Sequence, residues 1–296
     1  MSEAASDNPG TGKATEPVVS VRGLCISVPE GSAASPRRRI VTDLTFDLVP
    51  GRVLALVGES GSGKSMTALS LPGLLPPTAR VDAGEVWLRT AAGAHVNLLH
   101  LKAPELRRVR GRDIAMIFQE PLTSLNPVMT IGEQLVEAVQ LHTRVSAREA
   151  RDRSAAALGE VGVREPRARL TDYPHQFSGG LRQRAMIAMA LVCNPRVLIA
   201  DEPTTALDVT VQAQVLDLLC RLRDDRGLAI LLITHDLRLV ANRADGVCVM
   251  RSGSIVEYGS RDEVLASPRH AYTRALIACV PQVGVRRERL VTVEDS

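Results

Sequence analysis

The chain has 296 residues, of which 45% are hydrophobic and 23% are charged, and its formal net charge at pH 7 is +3. This composition is ordinary for a soluble globular protein that is long enough to bury a full core. The small net charge and an aromatic content of 2% give no support to nucleic-acid binding, so we expect no nucleic-acid partner.

The sequence indicates no disulfide framework, metal scaffold, membrane span or export signal. The five cysteines are far apart and form no CxxC pair, which favours a reducing compartment. No stretch approaches the roughly 18 apolar residues that span a bilayer. Residues 1–17 lack the basic-then-apolar pattern of a secretory signal and predict a disordered leader. We therefore expect a soluble intracellular protein whose folded structure begins near Val18.

In chain order, predicted strands alternate with predicted helices. Alternating or continuous apolar residues predict strands at Val19–Val28, Ile40–Leu48, Val53–Val57, Gly84–Leu88, Ile114–Phe118, Arg196–Ala200 and Leu228–Ile233, and a hairpin over Val247–Glu257. Helical spacing predicts helices at Ile131–Val139, Ala147–Val161, Leu181–Val192, Val211–Arg223, Arg261–Ala266 and Ala271–Cys279. This alternation predicts an α/β fold with a largely parallel core sheet, into which a helical subdomain is inserted over residues of about 120–180.

The strand Val53–Val57 leads into the pattern G-x-x-x-x-G-K-[ST], with Gly58, Gly63, Lys64 and Ser65 at the fixed positions. In such a loop, backbone N–H groups surround phosphate oxygens, the lysine reaches the outer phosphates and the hydroxyl ligates Mg²⁺. A structural turn is the alternative, but Lys64 is one of only three lysines in an arginine-rich chain. The predicted nucleotide-binding residues are Gly58, Glu59, Ser60, Gly61, Ser62, Gly63, Lys64, Ser65 and Met66.

Pro72 interrupts the helix that follows this loop. Because proline cannot donate to the carbonyl four residues back, we expect the helix to kink or to end near Leu71.

Polar residues with catalytic chemistry stand at the ends of three further predicted strands. Asp201 follows an apolar run and is a candidate Mg²⁺ ligand, and Glu202 beside it can polarise the attacking water. His235 and Gln119 end two other strands, at the edge where α/β proteins place ligand sites. Glu202, His235 and Gln119 are therefore the predicted catalytic residues, and Ser65, Gln119 and Asp201 are the predicted metal ligands.

A second predicted anion site lies far along the chain. Ser178 can cap a helix that starts after Gly179 and Gly180, which would leave N–H groups exposed. One chain with two phosphate-directed helix starts indicates two molecules that face each other, each completing the other's site. A capped helix alone would explain Ser178–Gly180 but not Gln183 as well.

Together these motifs resemble those of ATP-binding-cassette (ABC) ATPases, and the resemblance runs from about Val18 to Ala278. Phe177–Leu181, here FSGGL, is similar to the family signature, and Leu207-Asp208 to the family's D-loop. The resemblance implies a P-loop NTPase fold with a helical subdomain and a small antiparallel β subdomain. It implies ATP hydrolysis with Mg²⁺, an ATPase domain over 18–260 and a short helical extension and tail over 261–296. Asp208 joins Ser178, Gly179 and Gly180 as a residue that contacts the facing molecule's nucleotide.

Finer matches resemble the oligopeptide, dipeptide and nickel importers within this family. They are the segments 118–127 (FQEPLTSLNP), 173–177 (YPHQF) and 268–273 (PRHAYT). The resemblance implies a second, usually unlike, ATPase subunit or a second copy of the chain, two membrane permeases and, indirectly, an extracytoplasmic binding protein. The subunit would then lie at the cytoplasmic face of the membrane as a peripheral protein.

Two departures from the family pattern carry expectations of their own. The family usually stacks adenine on an aromatic residue before the second strand, but residues 31–39 contain none, so Arg37–Arg39 are the candidates. Many oligopeptide-type subunits carry clustered cysteines in a C-terminal extension, but Cys279 stands alone here, so we expect no iron–sulfur cluster. The short end also brings a nickel or metal-chelate importer into consideration.

Two other classes of protein remain as alternatives at this point. A soluble ATPase of the same superfamily would need a long coiled-coil insertion or a second cassette, and neither is present in the chain. A phosphoryl-transferring kinase would have no use for Ser178–Gly180 with Gln183.

Overall fold

The computed structural model describes residues 16–31, 35–119, 124–205 and 207–279. The predicted α/β fold is confirmed: it has two sheets, and helices pack on both sides of the larger one. The predicted features within 1–15, 120–123 and 280–296, together with Ala206, lie outside the described residues.

The smaller sheet is antiparallel and has the strand order β2-β1-β4-β5. Its strands are β1 (Val19–Pro29), β2 (Arg37–Leu48), β4 (Arg80–Arg89) and β5 (His95–Asn97). β1 pairs with β2 on one side and with β4 on the other. Apolar residues such as Val21, Phe46 and Leu88 face the interior, which explains the alternating pattern in these strands.

The larger sheet has the strand order β10-β9-β3-β8-β7-β6 and is parallel except for its edge strand β10. Its strands are β3 (Val53–Val57), β6 (Ile114–Ile117), β7 (Val197–Asp201), β8 (Ala229–Thr234), β9 (Gly246–Arg251) and β10 (Ser254–Ser260). Every residue of β3, β7 and β8 is buried. Burial on both faces accounts for their continuous apolar sequences.

Ten α-helices occur in the described residues. They are α1 (Lys64–Ser70), α2 (Ala103–Val109), α3 (Ile131–His142), α4 (Ala147–Glu160), α5 (Pro166–Arg169), α6 (Gly179–Leu191), α7 (Val209–Arg226), α8 (Leu237–Ala241), α9 (Arg261–Ala266) and α10 (Ala271–Ala278). Helices α3–α6 stand between the adjacent core strands β6 and β7, in the segment from which we predict a helical insertion.

The larger sheet separates two hydrophobic cores. Val53, Ala55 and Val57 face the core that is formed with the helical segment and α7. Leu54 and Leu56, from the same strand, face the core that is shared with the antiparallel sheet and α1. Because β3 is clamped from both sides, the loop that follows it starts from a fixed point.

Most predicted elements occur with small shifts in their ends. The helix before Pro72 ends at Ser70 with Leu71 as its C-cap, as predicted. β2 begins at Arg37, inside the segment expected to be a loop. The helix after Ser178 begins at Gly179 rather than after both glycines, because Ser178 itself is the N-cap.

The predictions miss β5 and the short helices α2, α5 and α8, which have between three and seven residues. Helices of seven residues or fewer have less than two turns, and β5 has only three residues, so hydrophobic spacing cannot reveal these elements. The described residues contain no helix that is both long and apolar enough to cross a membrane.

Candidate nucleotide-binding site

The predicted phosphate loop runs from the buried end of β3 to the start of α1. Gly58, Gly61 and Gly63 have φ angles of 155°, 79° and 103°, a region that side-chain-bearing residues rarely adopt. A Cβ at Gly58 would lie 2.1 Å from the carbonyl oxygen of Met250, and one at Gly63 would lie 2.5 Å from that of Ile40. The loop therefore needs glycine both for its backbone angles and for its close contact with β9 and β2.

Lys64 is the first residue of α1, and only 5% of it is exposed. Its Nζ donates to the carbonyl oxygens of Gly58 at 2.8 Å and Glu59 at 2.7 Å. Burial lowers the pKa of Lys64, and the nearby carboxylates of Glu202 and Asp201 oppose that shift. The ammonium is thus held at the loop by backbone oxygens, in a place where phosphate oxygens could replace them.

Asp201 ends β7 and lies beside the first turn of α1. The hydroxyl of Ser65 donates to Asp201 Oδ1 at 3.3 Å, which joins residues that are 136 positions apart. Asp201 is 5% exposed, and burial raises its pKa, whereas the Ser65 hydrogen bond lowers it. A buried carboxylate and a hydroxyl oxygen form a hard-oxygen pair of the kind that Mg²⁺ prefers, so these two predicted ligands fit the ion.

Glu202 lies at the centre of a cluster of polar side chains. Its Oε2 accepts from Gln119 Nε2 at 3.1 Å and from the Thr205 hydroxyl at 2.9 Å. Its Oε1 lies 3.1 Å from His235 Nδ1. The three predicted catalytic residues Glu202, His235 and Gln119 therefore come together at the carboxyl ends of three parallel strands.

The electrostatics of this cluster keep Glu202 ionised. Burial raises the pKa of Glu202, but the hydrogen bonds from His235 and Thr205 outweigh burial, and its pKa is lowered overall. A cavity of about 170 Å³ adjoins the carboxylate and is also lined by Thr204, His235 and Asp236. An ionised carboxylate beside a water-accessible cavity can orient a water molecule and accept its proton.

The backbone of Glu202 adopts an unusual conformation. Its φ angle is 46°, in the left-handed region, and its N–H donates to the carbonyl oxygen of Ile233 at 3.0 Å. Non-glycine residues in this region cost roughly 1–3 kcal/mol and persist only where the surroundings hold them. The bond to β8 and the side-chain cluster supply that restraint.

Gln119 was predicted both as a catalytic residue and as a metal ligand. Its amide contacts Glu202 rather than Ser65 or Asp201, so the structure joins it to the catalytic cluster. Its role as a Mg²⁺ ligand stays a prediction. Thr205 was not predicted, because a threonine after a proline in a polar segment carries no local signal of function.

The second predicted anion site is formed by Ser178–Gly180 at the start of α6. The Ser178 hydroxyl accepts from the N–H of Leu181 at 3.4 Å. The nearest neighbours of Gly179 and Gly180 are Leu207 and Val211, which follow Glu202 in the chain, and not residues 58–66. Within one copy, this segment therefore packs against residues that follow Glu202, and its contribution to a facing molecule's site stays a prediction.

Asp208 and Gln183 have structural surroundings of their own. Asp208 is the N-cap of α7, and its Oδ1 accepts from the N–H of Val211 at 2.9 Å. Gln183 is 1% exposed, and its Nε2 has no hydrogen-bond partner within the part of the chain that the structure describes. Gln183 thus points into the interior behind the helix start, and its buried position argues against direct contact with a phosphate.

The arginines that were expected to stack on adenine lie on β2, and one of them is already engaged. Arg37 donates to Ser27 Oγ at 2.9 Å, to Ser27 O at 2.7 Å and to Thr78 O at 3.0 Å. Arg38 and Arg39 are exposed on the same strand. Their role in adenine binding stays a prediction, and Arg37 is the least suited of the three.

Comparison with known families agrees with this arrangement. Residues 41–205 match the model of the ABC transporter family, and residues 256–296 match that of the oligopeptide/dipeptide transporter C-terminal region. The chain belongs to the ABC transporter family. It is an ATPase subunit with the ABC cassette fold.

Several curated proteins are similar over most of this ABC ATPase. It is 52% identical to the peptidoglycan transport ATP-binding protein YejF of Agrobacterium fabrum. The matched region covers 90% of this chain and 48% of that protein. It is 48% identical to a putative peptide import ATP-binding protein of Brucella melitensis, over 91% of this chain and 79% of that one. It is 44% identical to the dipeptide transport ATP-binding protein DppD of Bacillus subtilis, over 95% of this chain and 82% of that one. The chain spans about half the length of the Agrobacterium relative.

Solved structures share the fold at lower identity. The dimeric ATP-binding cassette MJ0796 bound to ADP and Pi superposes with a TM-score of 0.71 at 24% identity, over 82% of this chain and 98% of that one. At this identity the likeness supports the fold alone.

Among the described residues no group of three or more His, Cys, Asp or Glu side chains could hold a metal ion. Cys279, next to the end of α10, is a free thiol.

Proposed function

We propose that this chain is the ATP-hydrolysing subunit of an importer for oligopeptides or dipeptides, working with membrane permeases at the cytoplasmic face of the membrane. The match of residues 256–296 to the oligopeptide/dipeptide C-terminal region and the peptide-import relatives support this cargo class. They favour it over the alternative of a nickel or metal-chelate importer.

The observation that carries the proposed mechanism is the cluster around Glu202. Beside this cluster, Lys64 and the loop amides bind the phosphates of ATP, and Ser65 and Asp201 would hold Mg²⁺, which would neutralise phosphate charge. Glu202 orients the attacking water and accepts its proton through the carboxylate that His235, Thr205 and Gln119 surround. Ser178–Gly180 of a facing ATPase, either an unlike subunit or a second copy, close the site over the outer phosphate.

An apolar groove of about 240 Å³ is a suitable docking surface for a permease. Pro72 and Leu74 after α1, Phe118 after β6, and Met186 and Met189 on α6 line it. Phe118 is 40% exposed and adjoins Gln119, so a helix seated in this groove would contact the segment that holds the catalytic cluster together. Such contact would couple ATP-driven closure to the permease.

The substitution Glu202→Gln tests the mechanism. It keeps the shape of the side chain but removes the proton acceptor, so ATP affinity should remain within about twofold while the hydrolysis rate falls by about 100-fold or more, the range of general-base catalysis. Both quantities should be measured in the assembled complex, because the isolated chain lacks the facing segment. A variant complex that hydrolyses ATP at the wild-type rate would show that Glu202 has another role.

A further inference from the structure

The C-terminal helix α10 makes a direct hydrogen bond to the phosphate loop. The backbone N–H of Glu59 donates to the hydroxyl of Tyr272 at 3.2 Å, across 213 positions of sequence. Tyr272 is 2% exposed and belongs to the core on the helical side of the sheet. The hydroxyl is therefore a fixed acceptor at the edge of the proposed nucleotide site.

Several contacts hold the Tyr272 ring in place. The guanidinium of Arg251, the last residue of β9, lies 4.7 Å from the ring centroid. The N–H of Tyr272 donates to His270 Nδ1 at 3.1 Å, and the carboxylate of Glu257 on β10 accepts from the N–H groups of Arg269 and His270. The start of α10 is thus anchored to the β9–β10 hairpin.

The same hairpin also touches the loop at Gly58. The carbonyl oxygen of Met250 packs so closely against Gly58 that no Cβ would fit there. Burial raises the pKa of Tyr272, although its contact with the Glu59 N–H opposes that shift, so its hydroxyl stays protonated at neutral pH.

The peptide bond between Gly58 and Glu59 connects Tyr272 to Lys64. The Glu59 N–H of this peptide donates to the Tyr272 hydroxyl. The Gly58 C=O of the same peptide accepts from Lys64 Nζ at 2.8 Å. In a trans peptide these two groups point in opposite directions, so fixing one side fixes the other. Rotation of this peptide, which glycine permits, would turn the carbonyl away from the ammonium.

We propose that Tyr272 is a positioning residue of the nucleotide site: its hydroxyl fixes the Gly58–Glu59 peptide, and through it the place of the Lys64 ammonium. This inference rests on the proposed nucleotide site. It gives the motif 268–273, for which the proposed mechanism has no role, a part in ATP binding.

The substitution Tyr272→Phe removes only the hydroxyl and keeps the ring under Arg251. The dissociation constant of a fluorescent ATP analogue, measured on the full chain, should rise by about three- to tenfold, which corresponds to the loss of one hydrogen bond. In the assembled complex, KM for ATP should rise while kcat at saturating ATP changes by less than about twofold, because the hydroxyl does not touch the reacting atoms.

Tyr258→Phe is the matched control. Tyr258 lies on the neighbouring strand β10, is 55% exposed and lines a different cavity, so its loss of a hydroxyl should leave ATP affinity unchanged. Lys64→Ala is the third variant, and it should abolish binding of the ATP analogue because it removes the ammonium that reaches the phosphates.

The outcomes separate the inference from the proposed site. Wild-type affinity in Tyr272→Phe together with lost affinity in Lys64→Ala would overturn the inference and leave the site standing. Unchanged affinity in Lys64→Ala would overturn the site itself. A lower melting temperature in Tyr272→Phe without a change in affinity would show that the hydroxyl is merely structural, which also overturns the inference.

Discussion

At the scale of single residues, the site combines two adjacent carboxylates in opposite electrostatic states. Asp201 is buried with a single hydroxyl donor, and its pKa is raised. Burial also raises the pKa of Glu202, but the surrounding donors bring it below its usual value. Burial thus leaves the charge of Asp201 poorly compensated, which favours binding of a cation, and Glu202 stays ionised, so that it can accept a hydrogen bond from a water molecule.

The raised pKa of Asp201 predicts a gain of stability when its charge is removed. A carboxyl with a higher pKa in the folded than in the unfolded chain binds more protons when folded, so the free energy of unfolding falls as pH rises from its unfolded pKa to its folded pKa. At neutral pH, Asp201→Asn should therefore raise the melting temperature of the nucleotide-free chain, because it removes the charge that burial disfavours. Thermal unfolding without Mg²⁺ measures this effect.

Asp236→Asn is a control of opposite sign. Burial raises the pKa of Asp236, but hydrogen bonds from Arg238 outweigh it and the pKa is lowered, so this substitution should reduce stability near neutral pH. Mg²⁺-dependent ATP affinity should fall in Asp201→Asn even as the free chain gains stability. A lower melting temperature for Asp201→Asn would contradict the prediction.

At the scale of elements, helix starts place the functional loops. Ser178 caps α6, Asp208 caps α7 and Asp236 caps α8, so three segments near the site enter helices through a side chain that accepts a backbone N–H. The preference of serine for this position explains why the sequence shows where α6 begins, whereas α8 is too short to be predicted although Asp236 caps it. α1 differs, because its N-cap is Gly63 in the left-handed region.

Substitutions can separate the role of Asp208 as the N-cap of α7 from its predicted role at the facing molecule's nucleotide. Asp208→Ala removes the acceptor for the N–H of Val211 and should lower the free energy of unfolding by about 1 kcal/mol, whereas Asp208→Asn retains a good cap and should leave it nearly unchanged. Chemical denaturation measures both. If Asp208 also serves the facing nucleotide, Asp208→Asn should still slow hydrolysis in the assembled complex. Equal stability of Asp208→Ala and the wild type would rule out the capping role.

At the scale of the whole molecule, the larger sheet gathers the candidate site at the carboxyl ends of its strands, and the apolar groove runs along its edge strand β6 to the same end. The residues after β3, β6, β7 and β8 supply the phosphate loop, Gln119, the two carboxylates and His235. The groove adjoins the same end through Phe118. The proposed nucleotide site and the proposed docking groove therefore meet at the short segment that follows β6.

The groove predicts a surface where charge blocks assembly without blocking ATP binding. Leu74→Arg should abolish or strongly reduce co-purification with the permeases, because an arginine in an apolar groove must be desolvated without a partner charge. Trp87→Arg is the matched control, since Trp87 is 37% exposed and Leu74 36%, but Trp87 lies on the antiparallel sheet. Affinity for ATP should be unchanged in both. Normal co-purification of Leu74→Arg would exclude the groove as the docking surface.

Sequence patterns alone predict the fold class, the core strands and most residues of the candidate site. Continuous apolar runs identify β3, β7 and β8 because parallel strands are buried on both faces, and Gly58–Ser65 is recognisable because its chemistry is local. Tertiary structure alone decided which side chains meet. The Gln119–Glu202 hydrogen bond, the donor from Thr205 and the contact of Tyr272 with Glu59 join residues whose nearness depends on the order of the strands and on the packing of the C-terminal helix. Sequence motifs mark Gln119, Glu202 and Tyr272 separately, but no local pattern encodes their contacts, which form only when the sheet and the C-terminal helix assemble.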